Sequence, residues 1–115
     1  MGGLDTELRG ALELAAARIS AFHEKQRPEN TETTDEAGVR MGSRWSAVET
    51  AGLYVPGGRA AYPSSLLMNA IPALVAGVDH IVLVTPTPGG EINPLILAAA
   101  EIAGVGEIYR IGGAQ

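Results

Sequence analysis

The chain has 115 residues, a net charge of −5 at pH 7 and a sequence pI of about 4.9. It has no Cys, which excludes a disulfide scaffold, a thiol nucleophile, an iron–sulfur cluster and a Cys-based zinc site. Its two His leave little for metal chemistry, and the acidic balance excludes the basic footprint of a nucleic-acid binder.

Residues 5–26 read as an amphipathic helix, with Leu8, Leu12, Ala15, Ile19 and Phe22 on one stripe. Asp5 or Thr6 caps it, Glu7 suits its positive end, and Pro28 stops it. The stripe is too short for a coiled coil and is expected to pack on its own domain. No secretory signal is legible at Met1-Gly2-Gly3-Leu4-Asp5. Residues 28–43 are polar and read as a solvated loop or linker. On this basis residues 1–43 form an N-terminal helix with a polar linker, and residues 44–115 form a partial Rossmann-like α/β domain.

Nine acidic and six basic side chains lie in residues 1–50, against four and two in residues 51–115. So apolar a second half suits buried strands and helices. Residues 45–48 suggest an edge-like strand, and residues 53–55 a strand running into Pro56-Gly57-Gly58. A helix follows from Pro63 to about Ala76, ended by Gly77, and Pro72 is expected to kink it. The charge-free stretch at 60–78 is too interrupted by Pro63, Asn69 and Pro72 to span a membrane.

Ile81-Val82-Leu83-Val84 is a continuous apolar run that suits a strand covered on both faces. Asn93-Pro94 starts a helix with Leu95, Ala98, Ala99 and Ile102 on one stripe, and Gly104 closes it. Residues 107–111 form the last strand, ending at Gly112-Gly113. The order after residue 50 is β-α-β-α-β, a parallel Rossmann-like half domain. Ligands on such sheets sit beyond the carboxyl ends of the strands.

The motifs are sparse. No phosphate-binding fingerprint of the Walker or Gly-x-Gly-x-x-Gly type is present. Arg59, with Tyr54 or Tyr62 available to stack, could meet an anionic ligand at the helix start near Pro63, although the glycines equally serve a tight turn. His23 and His80 stand at no ligand spacing and read as surface or boundary residues. Asp79, Glu91, Glu101 and Glu107 read as solvated groups at element ends. Gln115 could present an amide at a strand terminus, where a fraying end is the plainer reading.

Longer words say more. Gly52-Leu53-Tyr54-Val55-Pro56-Gly57-Gly58, then Tyr62-Pro63-Ser64-Ser65-Leu66-Leu67-Met68-Asn69-Ala70-Ile71-Pro72-Ala73, then Ala76-Gly77-Val78, resemble histidinol dehydrogenase. So do Ile108-Tyr109-Arg110-Ile111-Gly112-Gly113-Ala114-Gln115 and the helix with Ile19, Phe22, His23 and Gln26. The resemblance covers nearly the whole chain. It implies an NAD-dependent oxidation of L-histidinol to L-histidine through the aldehyde, the last steps of histidine biosynthesis. It implies a cytoplasmic, zinc-dependent homodimer with its site completed across the dimer, and no nucleic-acid or membrane partner. It places NAD contacts on Tyr54 and Gln115.

Leu74 departs from the family, which often has a basic residue there. The larger departure is that the family's zinc ligands, substrate contacts and Glu–His acid–base pair follow the Gly-Gly-Ala-Gln motif on which this chain stops. The resemblance thus carries no catalytic or metal residue onto this sequence. It implies an N-terminal piece, inactive by itself. The alternative is a non-catalytic nucleotide-binding or self-associating α/β module.

Overall fold

The computed structural model describes residues 6–56, 63–86 and 92–111. Their elements run α1 (Thr6–Glu24), β1 (Thr31–Thr34), β2 (Arg40–Ser43), β3 (Thr50–Tyr54), α2 (Pro63–Ala76), β4 (His80–Val84), α3 (Pro94–Ile102) and β5 (Glu107–Tyr109). Strands β3, β4 and β5 form a parallel sheet in that order. Parallel neighbours need crossovers, and α2 and α3 supply them. The expected α/β architecture is present.

Two Schellman motifs set the crossover geometry. At the end of α2, Gly77 adopts φ 96°, its N–H donates to the Leu74 carbonyl, and the Val78 N–H donates to that of Ala73. At the end of α3, Gly104 adopts φ 75°, with matching bonds from Gly104 to Glu101 and from Val105 to Ala100. Each motif satisfies orphan carbonyls and turns the chain back into the sheet. Val78 and Val105 are buried directly after the turns, so each stop also delivers an apolar anchor. At the start of α3, the Asn93 carboxamide oxygen accepts the Leu95 N–H at 2.8 Å, with Pro94 in the first turn. Helix α2 is continuous through Pro72.

The core lies between the sheet and the helices. Leu66, Leu67, Ala70 and Ile71 of α2, Ile96, Ala98, Ala99 and Ala100 of α3, and Ile81 and Leu83 of β4 form one buried cluster. Helix α3 buries more than the predicted stripe, because Ile96 and Ala100 are buried while Leu95 and Ile102 are only partly so. Leu12 joins the cluster from α1, with Ala15, Ala16 and Ile19 packed against it. The middle of the α1 stripe therefore packs on its own chain, as expected. Its ends, Leu8 and Phe22, remain exposed. Arg9 adds a polar tie, reaching Glu13 at 3.1 Å on its own helix and Glu101 at 3.3 Å on α3.

Several expectations are corrected. The segment 28–43 is an antiparallel hairpin, not a loop: Thr31 pairs with Ser43 and Thr34 with Arg40. The β-branched threonines favour strand, and the Asp35 carboxylate folds the turn by accepting the N–H groups of Ala37 and Val39, both at 2.9 Å. Residues 45–48 form no strand; they run as irregular chain beside the end of α2, where Ala47 meets Gly77. The last strand stops at Tyr109 rather than 111. Strand β4 is not covered on both faces among the described residues. Ile81 and Leu83 face the core, whereas His80 is exposed and Val82 and Val84 only partly buried. No described helix packs on that second face.

Candidate functional site

The alternation of each strand sorts its side chains onto two faces. Ala51 and Leu53 of β3, Ile81 and Leu83 of β4, and Ile108 of β5 point to the core. The opposite face is built in rows by the register: Thr50 with His80, then Gly52, Val82 and Glu107, then Tyr54, Val84 and Tyr109. The last row lies at the carboxyl end of the sheet. Tyr54 and Tyr109 are each about half exposed there. With strands spaced about 4.8 Å apart, the two tyrosine backbones stand about 10 Å apart on either side of Val84.

The carboxyl end is tied together beyond the ladder. Thr85 is buried, and its hydroxyl donates to the Val55 carbonyl at 2.9 Å. Its N–H donates to the Tyr109 carbonyl at 3.1 Å, while the Val55 N–H donates to the Val84 carbonyl at 3.0 Å. One threonine thus links the ends of β3, β4 and β5. Val55 beside it has no exposed surface. The residue before Pro56 is fixed from two sides, so Tyr54 is held on a rigid strand end.

Of the predicted site residues, Tyr54 falls on this edge. Gln115 lies outside the described residues, as do Gly57, Gly58, Arg59, Tyr62, Glu91, Gly112 and Gly113. Sequence reasoning missed Thr85, Tyr109 and the polar chain behind them. That chain runs down the open face from the opposite end of the sheet. The His80 Nε2 lies 2.8 Å from a Glu107 carboxylate oxygen, its Nδ1 lies 3.4 Å from the Thr50 hydroxyl, and the Tyr109 hydroxyl donates to the other Glu107 oxygen at 3.1 Å. His80 is therefore the first residue of β4 rather than a residue preceding it, and Glu107 is solvated, as expected, but also paired. Glu101 is also both solvated and paired, with Arg9. The hydrogen bonds from His80 and then Tyr109 hold the Glu107 carboxyl below its ordinary 4.5. The same carboxylate raises the Tyr109 phenol above 10.0. The signal that could have found this chain was spacing: Glu107 and Tyr109 are two apart in a strand, hence on one face.

A groove of about 610 Å³ lies at the other end of the molecule, between Arg27, Pro28, Asn30, Trp45, Ser46, Ala47, Ala76 and Gly77. The Trp45 N–H donates to the Asn30 side chain at 2.6 Å and fixes its wall. Arg27 lies beside Gly77, where a cation suits the negative end of α2. This groove is remote from the carboxyl ends of the strands. Among the described residues no three His, Asp or Glu side chains gather as a metal site. No described helix is long and apolar enough to cross a membrane.

A three-stranded parallel sheet with crossover helices and permissive strand ends defines a Rossmann-like α/β unit. The comparisons make the assignment narrower. The family model for histidinol dehydrogenase matches residues 1–115, and the chain belongs to that family. It is 66% identical to the histidinol dehydrogenase of Rhodospirillum rubrum over 97% of this chain and 26% of that protein. It is 65% identical to that of Ruegeria pomeroyi over 93% of this chain and 25% of that protein. The solved histidinol dehydrogenase of Elizabethkingia anophelis superposes with a TM-score of 0.88 at 38% identity, covering 96% of this chain and 26% of that one. The chain spans about a quarter of the length of these relatives.

Proposed function

We propose that this chain is the nucleotide-facing N-terminal part of an enzyme that oxidises L-histidinol to L-histidine through the aldehyde, with NAD as acceptor, in the cytoplasm. The observation that carries the reading is the family membership joined to the position of Tyr54. It stands half exposed at the carboxyl end of β3, where open α/β sheets receive ligands. Its aromatic face can stack on a base or ribose, and its hydroxyl can hydrogen-bond a polar group. Gln115 is the second proposed NAD contact. Thr85 contributes by holding the strand ends still, which lowers the entropy lost on binding.

Zinc is part of the proposed complete enzyme, but the described residues do not fit it. His80 faces Thr50 and Glu107 with its two ring nitrogens, and His23 packs edge-on against Phe22 at 5.2 Å between ring centroids. The metal ligands and the Glu–His acid–base pair are proposed to lie in the remaining length, and the enzyme to act as a homodimer. The isolated chain is then a dinucleotide-binding piece without turnover. Histidinol-dependent reduction of NAD tests the reading. The chain fused to the remaining length of the Rhodospirillum rubrum enzyme should reduce NAD, and the chain alone should not. Turnover by the chain alone would refute the assignment of roles.

A further inference from the structure

We infer that Thr85 is a positioning residue for the proposed NAD site: it acts through Val55 to set Tyr54, and its effect falls on the nucleotide rather than on histidinol. The inference rests on the reading of Tyr54 as an NAD contact and adds what holds that contact in place. Among the described residues Thr85 is the one polar side chain in the buried core. A hydroxyl there has to be paired, since a buried one without a partner is costly. Valine would fill the same space without that demand. What the hydroxyl adds is direction: it donates to the Val55 carbonyl at 2.9 Å, 30 positions away in the chain.

The tie sits where it governs Tyr54. Val55 is held on both sides: its N–H donates to the Val84 carbonyl at 3.0 Å, and its carbonyl accepts from Thr85. The peptide between Tyr54 and Val55 is thereby fixed in plane. Thr85 is itself anchored by its N–H to the Tyr109 carbonyl at 3.1 Å. A proline follows each of the two residues, Pro56 after Val55 and Pro86 after Thr85, and proline restricts the residue before it to extended backbone. Two such residues, bonded to each other at the ends of β3 and β4, carry the strand direction out to the edge where ligands arrive. The polar bonds at the other end of the sheet, among Thr50, His80 and Glu107, join exposed groups instead. Without the Thr85 hydroxyl the Val55 carbonyl loses this partner, and the segment carrying Tyr54 gains freedom that NAD has to remove on binding. The tie touches no reacting group, so the loss is the same before and during the chemical step. KM for NAD then rises while kcat holds.

Steady-state kinetics of the chain fused to the remaining Rhodospirillum rubrum length test this. Thr85→Val should raise KM for NAD several-fold, with kcat and KM for histidinol close to those of the parent. Thr85→Ala lacks the same hydroxyl and should give the same split, so misfolding of one variant leaves the other to decide. Thr85→Ser keeps the hydroxyl and should bring KM for NAD back toward the parent. Val78→Ala thins the buried core ahead of β4, away from the carboxyl end, and should leave KM for NAD unchanged. An unchanged KM for NAD in the hydroxyl-free variants would overturn the inference, as would a fall in kcat alone or an equal rise in Thr85→Ser or Val78→Ala. Tyr54→Ala separates the two claims. If it raises KM for NAD while the hydroxyl-free variants do not, the positioning role alone falls. If it leaves KM for NAD unchanged, the NAD contact falls and the positioning role falls with it.

Discussion

Thr85 and Tyr109 are joined across the end of the sheet by a 3.1 Å hydrogen bond from the threonine N–H to the tyrosine carbonyl, and the threonine side chain reaches the other way to Val55. This buried link makes the carboxyl end of the sheet a single unit. Thr85→Val removes the hydroxyl and leaves the Val55 carbonyl short of a partner. The expected cost is about 1–3 kcal/mol, read by thermal or urea unfolding. Hydrogen exchange should rise at Val55 and at position 85, ahead of the sheet interior. Unchanged stability would show that the link contributes nothing.

The core and the open face should respond oppositely to substitution. Leu83 is fully buried between sheet and helices, and Leu83→Ala should cost about 2–5 kcal/mol. Two residues of the same strand, Val82 and Val84, point the other way. Equal losses on both faces of β4 would contradict the one-sided packing.

Asn93 caps α3 through a single side-chain bond to the Leu95 N–H. Asn93→Ala should cost about 1 kcal/mol, and Asn93→Asp should preserve stability, because a carboxylate also accepts that bond and suits the helix dipole. The melting temperatures of the two variants check this.

The Glu107 carboxyl titrates below 4.5 because His80 and Tyr109 bond to its ionised form. A lowered folded-state value means the unfolded chain takes up the proton first. The stabilisation is therefore present above 4.5 and is lost as pH falls through the lower folded value. Tyr109 runs the other way: its phenol is raised above 10.0, so its contribution is present below 10.0 and is lost as pH rises through the folded value. Glu107→Gln should bring the Tyr109 phenol back toward 10.0, as followed by ultraviolet difference absorption. An unmoved titration would show that the pair does not form in solution.

The parallel β-α-β-α-β order was legible because its signals are local. Gly77, Gly104, Pro63 and Asn93-Pro94 punctuate the chain where the helices begin and end. The hairpin at 31–43 was not legible as structure. Its eight strand residues are all exposed, so no apolar alternation marks them, and the Thr content was outweighed by polarity. Tyr54 was nominated through a long motif, and its strand-end position followed from the Leu53–Val55 strand read in the sequence. The Thr85 tie and the His80–Glu107 pair were not legible, because each depends on strand register, which joins residues 24 to 30 positions apart; only the Glu107–Tyr109 step lay in local spacing. That the described helices cover only one face of the sheet was unreadable for a similar reason: the continuous apolar run from Ile81 to Val84 does not tell which face the helices take.

Titration of the isolated chain with NAD, followed by calorimetry and by chemical-shift changes, tests the central claim most directly. The account predicts weak, saturable binding at millimolar NAD, with shifts concentrated at Tyr54, Val55 and Thr85, and loss of binding in Tyr54→Ala with the fold intact. No heat and no shifts at millimolar NAD would contradict it, as would binding that Tyr54→Ala leaves unchanged.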